Sequence, residues 1–159
     1  MGKMGVQLDT FDLSILTVLQ RDASLSLEQL AERVHLSRNA CWRRVKRLED
    51  DGIIRARVAL VDPAAVNVPL SVIILVRTSQ HGREWADQFR QAVSELPEIM
   101  AAYRTSGDVD YVLHARVPDV AAYDALYQKL IARITLSDVS ASFVMEELKA
   151  LTELPLTFV

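Results

Sequence analysis

A narrow apolar stripe on an otherwise charged helix constrains this chain most. Between Leu36 and Ile54 the sequence reads LSRNACWRRVKRLEDDGII, in which Cys41, Val45 and Leu48 recur at helical spacing while basic residues fill most positions between them. Ser37 can accept hydrogen bonds from first-turn amides, and Gly52 can adopt the left-handed conformation that ends a helix. At about 100° per residue, the arc opposite the stripe carries Asn39, Arg43, Lys46 and Arg47, with Trp42 and Arg44 on its flanks. These six are expected to point toward a partner or toward water.

The positive charge is local. Seven of the eighteen Lys and Arg residues fall between Arg38 and Arg57, although the whole chain carries a net charge of −3. Such charge is common on solvated helices, so this helix alone leaves that reading level with nucleic-acid contact. Two shorter helices upstream shift the balance. The first is expected from about Asp9 to Arg21, with Ile15, Leu16 and Leu19 as core contacts. The second, Ser26 to Val34, opens with Ser26 and Gln29 at the spacing of a capping box. A short turn, His35 to Leu36, leads into the basic helix, and this order spells helix-turn-helix.

LDTFDLSILTVLQRDASLSLEQLAERVHLSRNACWRRVKRLEDDGII followed by VALVDP resembles the DNA-binding half of the leucine-responsive regulator family, Lrp/AsnC. The likeness is carried by the spaced Leu8, Asp9, Asp12, Ile15, Leu16 and Leu19, the LAERVHLS turn, the CWRRVKRLE helix and the closing GII. Downstream, TSGDVDYVL and SFVMEELKALTELPL resemble that family's effector-binding half.

Charge divides the chain at Asp62-Pro63. Residues 1–62 hold ten basic and nine acidic groups, net +1, and residues 63–159 hold eight and twelve, net −4. The acidic half is not expected to touch DNA. Ile53 to Val61 is rich in β-branched residues and reads as an extended strand; the resemblance implies that it pairs across a dimer. Beyond it the pattern is strand, helix, strand, strand, helix, strand. Leu70 to Thr78 leads, and a helix marked by Trp85, Phe89, Val93 and Leu96 follows. Met100 to Thr105 and Asp110 to Val117 form a hairpin. A helix from Asp119 shows Val120, Tyr123, Tyr127, Leu130, Ile131 and Ile134 on one side, and Val139 to Leu148 is the last strand.

The expected architecture is therefore α+β: a winged helix-turn-helix over residues 1–53, a linker strand over 54–63, and a ferredoxin-like βαββαβ effector-binding and oligomerisation domain over 64–159. In the first strand, Leu70, Val72, Ile74 and Val76 form one apolar set and Ile73 and Leu75 another, which argues that both faces of the sheet are covered. A second copy is the simplest cover, giving a twofold dimer. The resemblance implies the same, with further assembly, often to octamers. A symmetric pair of reading helices would recognise half-sites about one DNA turn apart, or a multiple of it.

For DNA contact the candidates are Ser37, Arg38, Asn39, Trp42, Arg43, Lys46, Arg47, Arg55 and Arg57. Arg38 and Asn39 lie at the helix N-terminus and, with Arg43, are expected at base edges. Lys46, Arg47, Arg55 and Arg57 are expected at phosphates, and Trp42 at the helix flank, its N–H free for a phosphate. For a small-molecule effector the candidates are Thr105, Ser106, Gly107, Asp108, Asp110 and Tyr111. Gly107 allows close backbone approach, loop amides can bind a carboxylate, and Asp108 or Asp110 can take an ammonium group. Those are the two charges of a free amino acid. Ser-Gly-Asp is also ordinary hairpin chemistry, and it is the resemblance that favours an effector, with Ser140 and Ser142 bordering the pocket.

Little supports catalysis. His35, His81 and His114 are scattered, with no metal-ligand spacing, phosphate-binding Gly loop or nucleophile elbow, so neither cofactor nor metal is expected. Two other readings stay open: a tetrapyrrole decarboxylase on the same two-part fold, using His114 and Arg116, and an architectural DNA protein without an effector. Cys41 sits on the core stripe, where packing is the main reading and a redox-sensing thiol the minor one. The longest apolar run, Val72 to Val76, is far short of the roughly 20 residues that span a bilayer, and a cytoplasmic protein is expected.

Overall fold

The computed structural model describes residues 7–158. They form two compact units, one of residues up to Ala59 together with the segment from Leu148, the other Leu60–Glu147.

The first unit is built on α1 (Thr10–Arg21), α2 (Leu27–Arg33) and α3 (Arg38–Asp50). Each helix starts where its cap residue stands. Asp9 accepts the Asp12 amide at 2.9 Å while Asp12 accepts the Asp9 amide at 3.1 Å, a reciprocal capping box. Ser26 and Gln29 make the same exchange on α2, and Ser37 Oγ accepts the Ala40 amide on α3. The tight turn between α2 and α3 places His35 at φ 54°, and the chain leaves α3 through Gly52 at φ 71°. Ile15, Leu16, Leu30, Ala31, Val34, Cys41, Val45 and Leu48 pack together as the core. Burial pushes the Cys41 thiol pKa up, which disfavours the reactive thiolate and suits a packing role.

One expected strand has no ladder within the chain, and another is shorter than expected. Ile53–Val61 forms no strand with the described residues. Ile53 and Ile54 both donate to the Leu48 carbonyl and so finish α3, while Val58, Leu60 and Val61 stand exposed. A strand needs a neighbour to complete its ladder, and the neighbour expected for this segment is a second copy. The last strand is also shorter than expected, β4 being Asp138–Phe143. The Val144 amide makes one more bond to Ser71, but β1 begins at Leu70, so pairing runs out. From Leu148 the chain belongs with the first unit: Leu156 packs on its core, the Leu154 amide donates to Gln20 at 2.7 Å, and Glu153 pairs with Arg21 at 3.0 Å.

The second unit contains β1 (Leu70–Arg77), α4 (Arg83–Ser94), β2 (Ile99–Arg104), β3 (Tyr111–Val117), α5 (Val120–Ile131) and β4. The sheet is antiparallel in the order β2-β3-β1-β4, the ferredoxin-like arrangement. Val72, Ile74 and Val76 of β1 and Leu113, Ala115 and Val117 of β3 share one core with Trp85, Phe89 and Ala92 of α4 and Leu126 and Leu130 of α5. The face of α5 differs from the expected one, because Leu126 is buried while Val120 and Ile131 are 57% and 38% exposed. Leu126, Leu130 and Ile134 recur every fourth residue, and the two exposed residues lie roughly 80° to 100° around the helix from that line.

On the opposite face of the sheet, Ile73 and Leu75 are half-buried, flanked by His114 and Ser142 and by Val112 and Ser140. Ser71 Oγ lies 2.8 Å from His114 Nε2. Burial, then the charge of Arg116, holds the His114 pKa below its ordinary value of 6.5. The unfolded chain therefore takes up the proton more readily, and stability contributed by neutral His114 is lost as pH falls below 6.5. Chemical denaturation between pH 7 and pH 5 should show this fall, and His114→Gln should flatten it; an equal fall in the variant would assign the dependence to other groups.

Candidate functional site

The basic helix is presented much as its wheel requires, with one substantial exception. Arg38, Asn39, Trp42 and Arg43 are all exposed, Trp42 at 55%. Arg38 lies 3.4 Å from Glu28 of α2, both side chains largely in solvent. Lys46 pairs with Asp50 one turn on at 2.7 Å, which raises the lysine pKa, and Arg57 pairs with Glu49 at 2.9 Å. Such exposed pairs are weak enough to exchange for a phosphate. Among the described residues Arg43 and Arg55 make no ion pair, and Ser37 is committed to its cap.

The exception is that Arg44 and Arg47 turn toward α1. Arg44 Nη1 donates to Asp9 at 2.7 Å and to Asp12 at 2.9 Å, and its guanidinium stands 5.3 Å over the Phe11 ring. Arg47 donates to the other carboxylate oxygen of Asp12. For Arg44 the expected outward direction is corrected for a geometric reason: it sits only about 40° from buried Leu48 around the helix, so its side chain runs along the α1 seam, whereas Arg47 stays exposed while it bonds Asp12. The Asp12 amide, then the Arg44 guanidinium, hold the Asp9 carboxyl pKa below its ordinary value. Sequence reasoning missed Asp12 as the partner, although a signal was there. Asp12 shares a helical face with Ile15, Leu16 and Leu19, and a carboxylate on a buried face must find cations. Asp9, Leu36, Ala40, Arg43, Arg44 and Arg47 together line an open depression of about 420 Å³.

In the second unit, Thr105 to Asp110 closes the β2-β3 hairpin. The Thr105 amide donates to the Asp110 carbonyl at 2.9 Å and its hydroxyl to the Val109 carbonyl. Gly107 takes φ 114°, and nothing lies within 4 Å of where its Cβ would stand. Ser106 and Asp108 are exposed beside it. Arg77 Nε donates to the Asp108 carbonyl at 2.8 Å while its guanidinium pairs with Asp138 at 2.7 Å, anchoring the turn to β1 and β4.

The remaining candidates divide between structure and access. The Asp110 carboxylate accepts the Thr78 amide at 2.9 Å, with His81 at 3.9 Å, so it fastens the hairpin to the end of β1. The Tyr111 ring packs on Phe89 and Trp85 at 4.4 and 5.8 Å and contributes to the core. Ser140 faces Leu75 across the β1-β4 ladder and is exposed. Gln80, His81 and Arg104, which sequence reasoning did not single out, line a cavity beside Asp110 and Tyr111 of about 30 Å³. A water needs about 10–15 Å³ of such space, so the cavity holds a few waters.

Two family models match this chain in succession. Residues 8–55 match a winged helix-turn-helix DNA-binding model, and residues 71–154 match the Lrp/AsnC ligand binding domain. The chain is 47% identical over 150 residues to the glutamate uptake regulatory protein of Zymomonas mobilis, covering 94% of this chain and 92% of that protein.

The chain belongs to the Lrp/AsnC family of transcriptional regulators.

Solved structures agree with the Lrp/AsnC assignment. An AsnC family regulator from Agrobacterium tumefaciens superposes with a TM-score of 0.92 at 50% identity, covering 95% of this chain and 99% of that one. A transcriptional regulator from Neisseria meningitidis in complex with L-Met superposes at 0.91 and 36% identity, over 96% and 99% of the two chains. As a Lrp/AsnC regulator the protein joins a DNA-binding helix-turn-helix to a ligand-binding domain. No helix among the described residues is long and apolar enough to cross a membrane.

Proposed function

We propose that this Lrp/AsnC regulator is a cytoplasmic amino-acid sensor that reads a near-palindromic operator as a symmetric dimer or a larger assembly of dimers. The observation that carries this reading is the exposed, unpaired Arg43 beside exposed Asn39 and Trp42 on a capped helix of a helix-turn-helix. Arg38, Asn39 and Arg43 take base edges, Ser37 and Trp42 lie at the backbone, and Lys46, Arg55 and Arg57 exchange their present surroundings for phosphate. Residues 1–53 serve DNA, 54–63 the linker, and the sheet that follows serves effector binding and assembly. Exposed Val58, Leu60 and Val61 and the half-buried Ile73 and Leu75 supply apolar surface for a second copy.

The effector binds at the hairpin, where Gly107 leaves its backbone open and Asp108 offers a free carboxylate to an ammonium group. Asp110 and Tyr111 hold the turn from behind. A second copy completes the pocket, with Ser140 near its border. An amino-acid ligand is supported by the methionine bound to the Neisseria relative and by the glutamate-uptake name of the Zymomonas one.

Mobility shift on the DNA flanking its own gene, with and without single amino acids, tests the proposal. Expected are a retarded complex whose position or affinity changes with one of them, and a thermal midpoint raised by the same compound. Arg43→Ala should weaken specific binding by about tenfold or more, matching roughly 1–3 kcal/mol per base contact. DNA binding with no response to any amino acid would instead favour an architectural role.

A further inference from the structure

Asp12 is the single charged residue among the described residues that is wholly buried. Both of its carboxylate oxygens are engaged. Oδ1 accepts Arg44 at 2.9 Å, and Oδ2 accepts the Asp9 amide at 3.1 Å and Arg47. The cations it holds come from the middle of the helix that carries the exposed Arg43, and Arg47 lies one turn beyond Arg43 on the same face.

Two consequences follow from this placement. A guanidinium that turns from a buried carboxylate to a phosphate takes away part of the compensation of that charge, and under-compensating a buried charge is disfavoured. Phosphate contacts in turn add affinity without sequence information, while contacts to base edges discriminate. We infer that Asp12 sets sequence discrimination by withholding Arg44 and Arg47 from the DNA backbone, leaving α3 to meet base edges through Arg38, Asn39 and Arg43 and phosphate through Lys46. The expectation that Arg47 serves a phosphate is thereby replaced. The inference rests on the docking of α3 proposed above, and it makes Asp12 a positioning residue that never touches the nucleic acid.

The test uses the full chain, a duplex selected by it from a randomised pool, and an unselected duplex of equal length. Asp12→Asn keeps the volume and one acceptor but removes the charge. Arg47 is then released and Arg44 keeps only its 2.7 Å bond to Asp9, so the log–log salt dependence on both duplexes should steepen by about 0.9 for each phosphate newly neutralised. Affinity for the unselected duplex should rise relative to the selected one, lowering the ratio about tenfold. A merely structural role would weaken binding to both without steepening either slope. An unchanged or shallower slope, with the helical spectrum and melting transition retained, overturns the inference.

Should Asp12→Asn fail to fold, Arg47→Gln decides the matter, because it leaves Asp12 paired with Arg44 and the Asp9 amide. The wild-type slope is expected. A slope shallower by about 0.9 would show Arg47 already on a phosphate and overturn the inference. Arg43→Ala separates the two levels of the argument. If it weakens binding while those results go the wrong way, only the role of Asp12 is lost; if it has no effect, the docking of α3 falls.

Discussion

Phe89→Ala is expected to destabilise the second unit by about 3–5 kcal/mol, the usual cost of emptying a buried aromatic site. Phe89 is 3% exposed and lies at the centre of an aromatic group, stacked on Trp85 at 5.2 Å and against Tyr111 at 4.4 Å. Trp85 in turn donates its indole N–H to the Thr135 carbonyl at 3.0 Å, tying α4 to the segment after α5. Removing the middle ring leaves a cavity that neither neighbour can fill without losing its own contacts. Tyr111 directly follows Asp110, which fastens the hairpin, so the loss should reach the proposed effector turn. Urea denaturation followed by tryptophan emission measures the first effect, and a weakened amino-acid response in the mobility shift measures the second. A loss below about 1 kcal/mol would mean that the surroundings collapse onto the gap, contrary to the packing described.

Leu48→Ala should cost the first unit about 2–5 kcal/mol. Leu48 is fully buried among the residues that join α1 and α2 to α3, and its carbonyl accepts the amides of both Ile53 and Ile54. This is a small core in which one leucine is a large share of the apolar contact. DNA affinity should fall together with stability, since the orientation of α3 depends on the seam beneath it. Circular dichroism on heating and mobility shift well below the wild-type midpoint test this together. Unchanged affinity with a lowered midpoint would show that α3 keeps its orientation without Leu48.

Much of the fold was legible because short-range rules and tertiary packing agree. Asp9, Ser26 and Ser37 cap helices in the structure as their spacing predicts, and the alternation in Leu70–Arg77 puts Val72, Ile74 and Val76 into the core. The errors share a cause, which is that the deciding partner lies far away in sequence. Arg44 and Arg47 look like solvated cations until α1 brings Asp12 to them from more than thirty positions upstream. The stretch from Val144 to Leu148 looks like strand until β1 offers no further backbone to pair with. At the proposed effector site, hairpin chemistry announced the turn, but it could not distinguish Asp110, which secures Thr78, from Asp108, which faces solvent.

The order of elements, the caps, the basic helix and the family were determined by the sequence alone, because each depends on residues within a few turns of one another or on motifs that survive as strings. Which charges remain free to meet a ligand was decided only by the tertiary structure. An ion pair is set by distance in space and by the water excluded around it, and neither quantity is written in the spacing of residues along the chain.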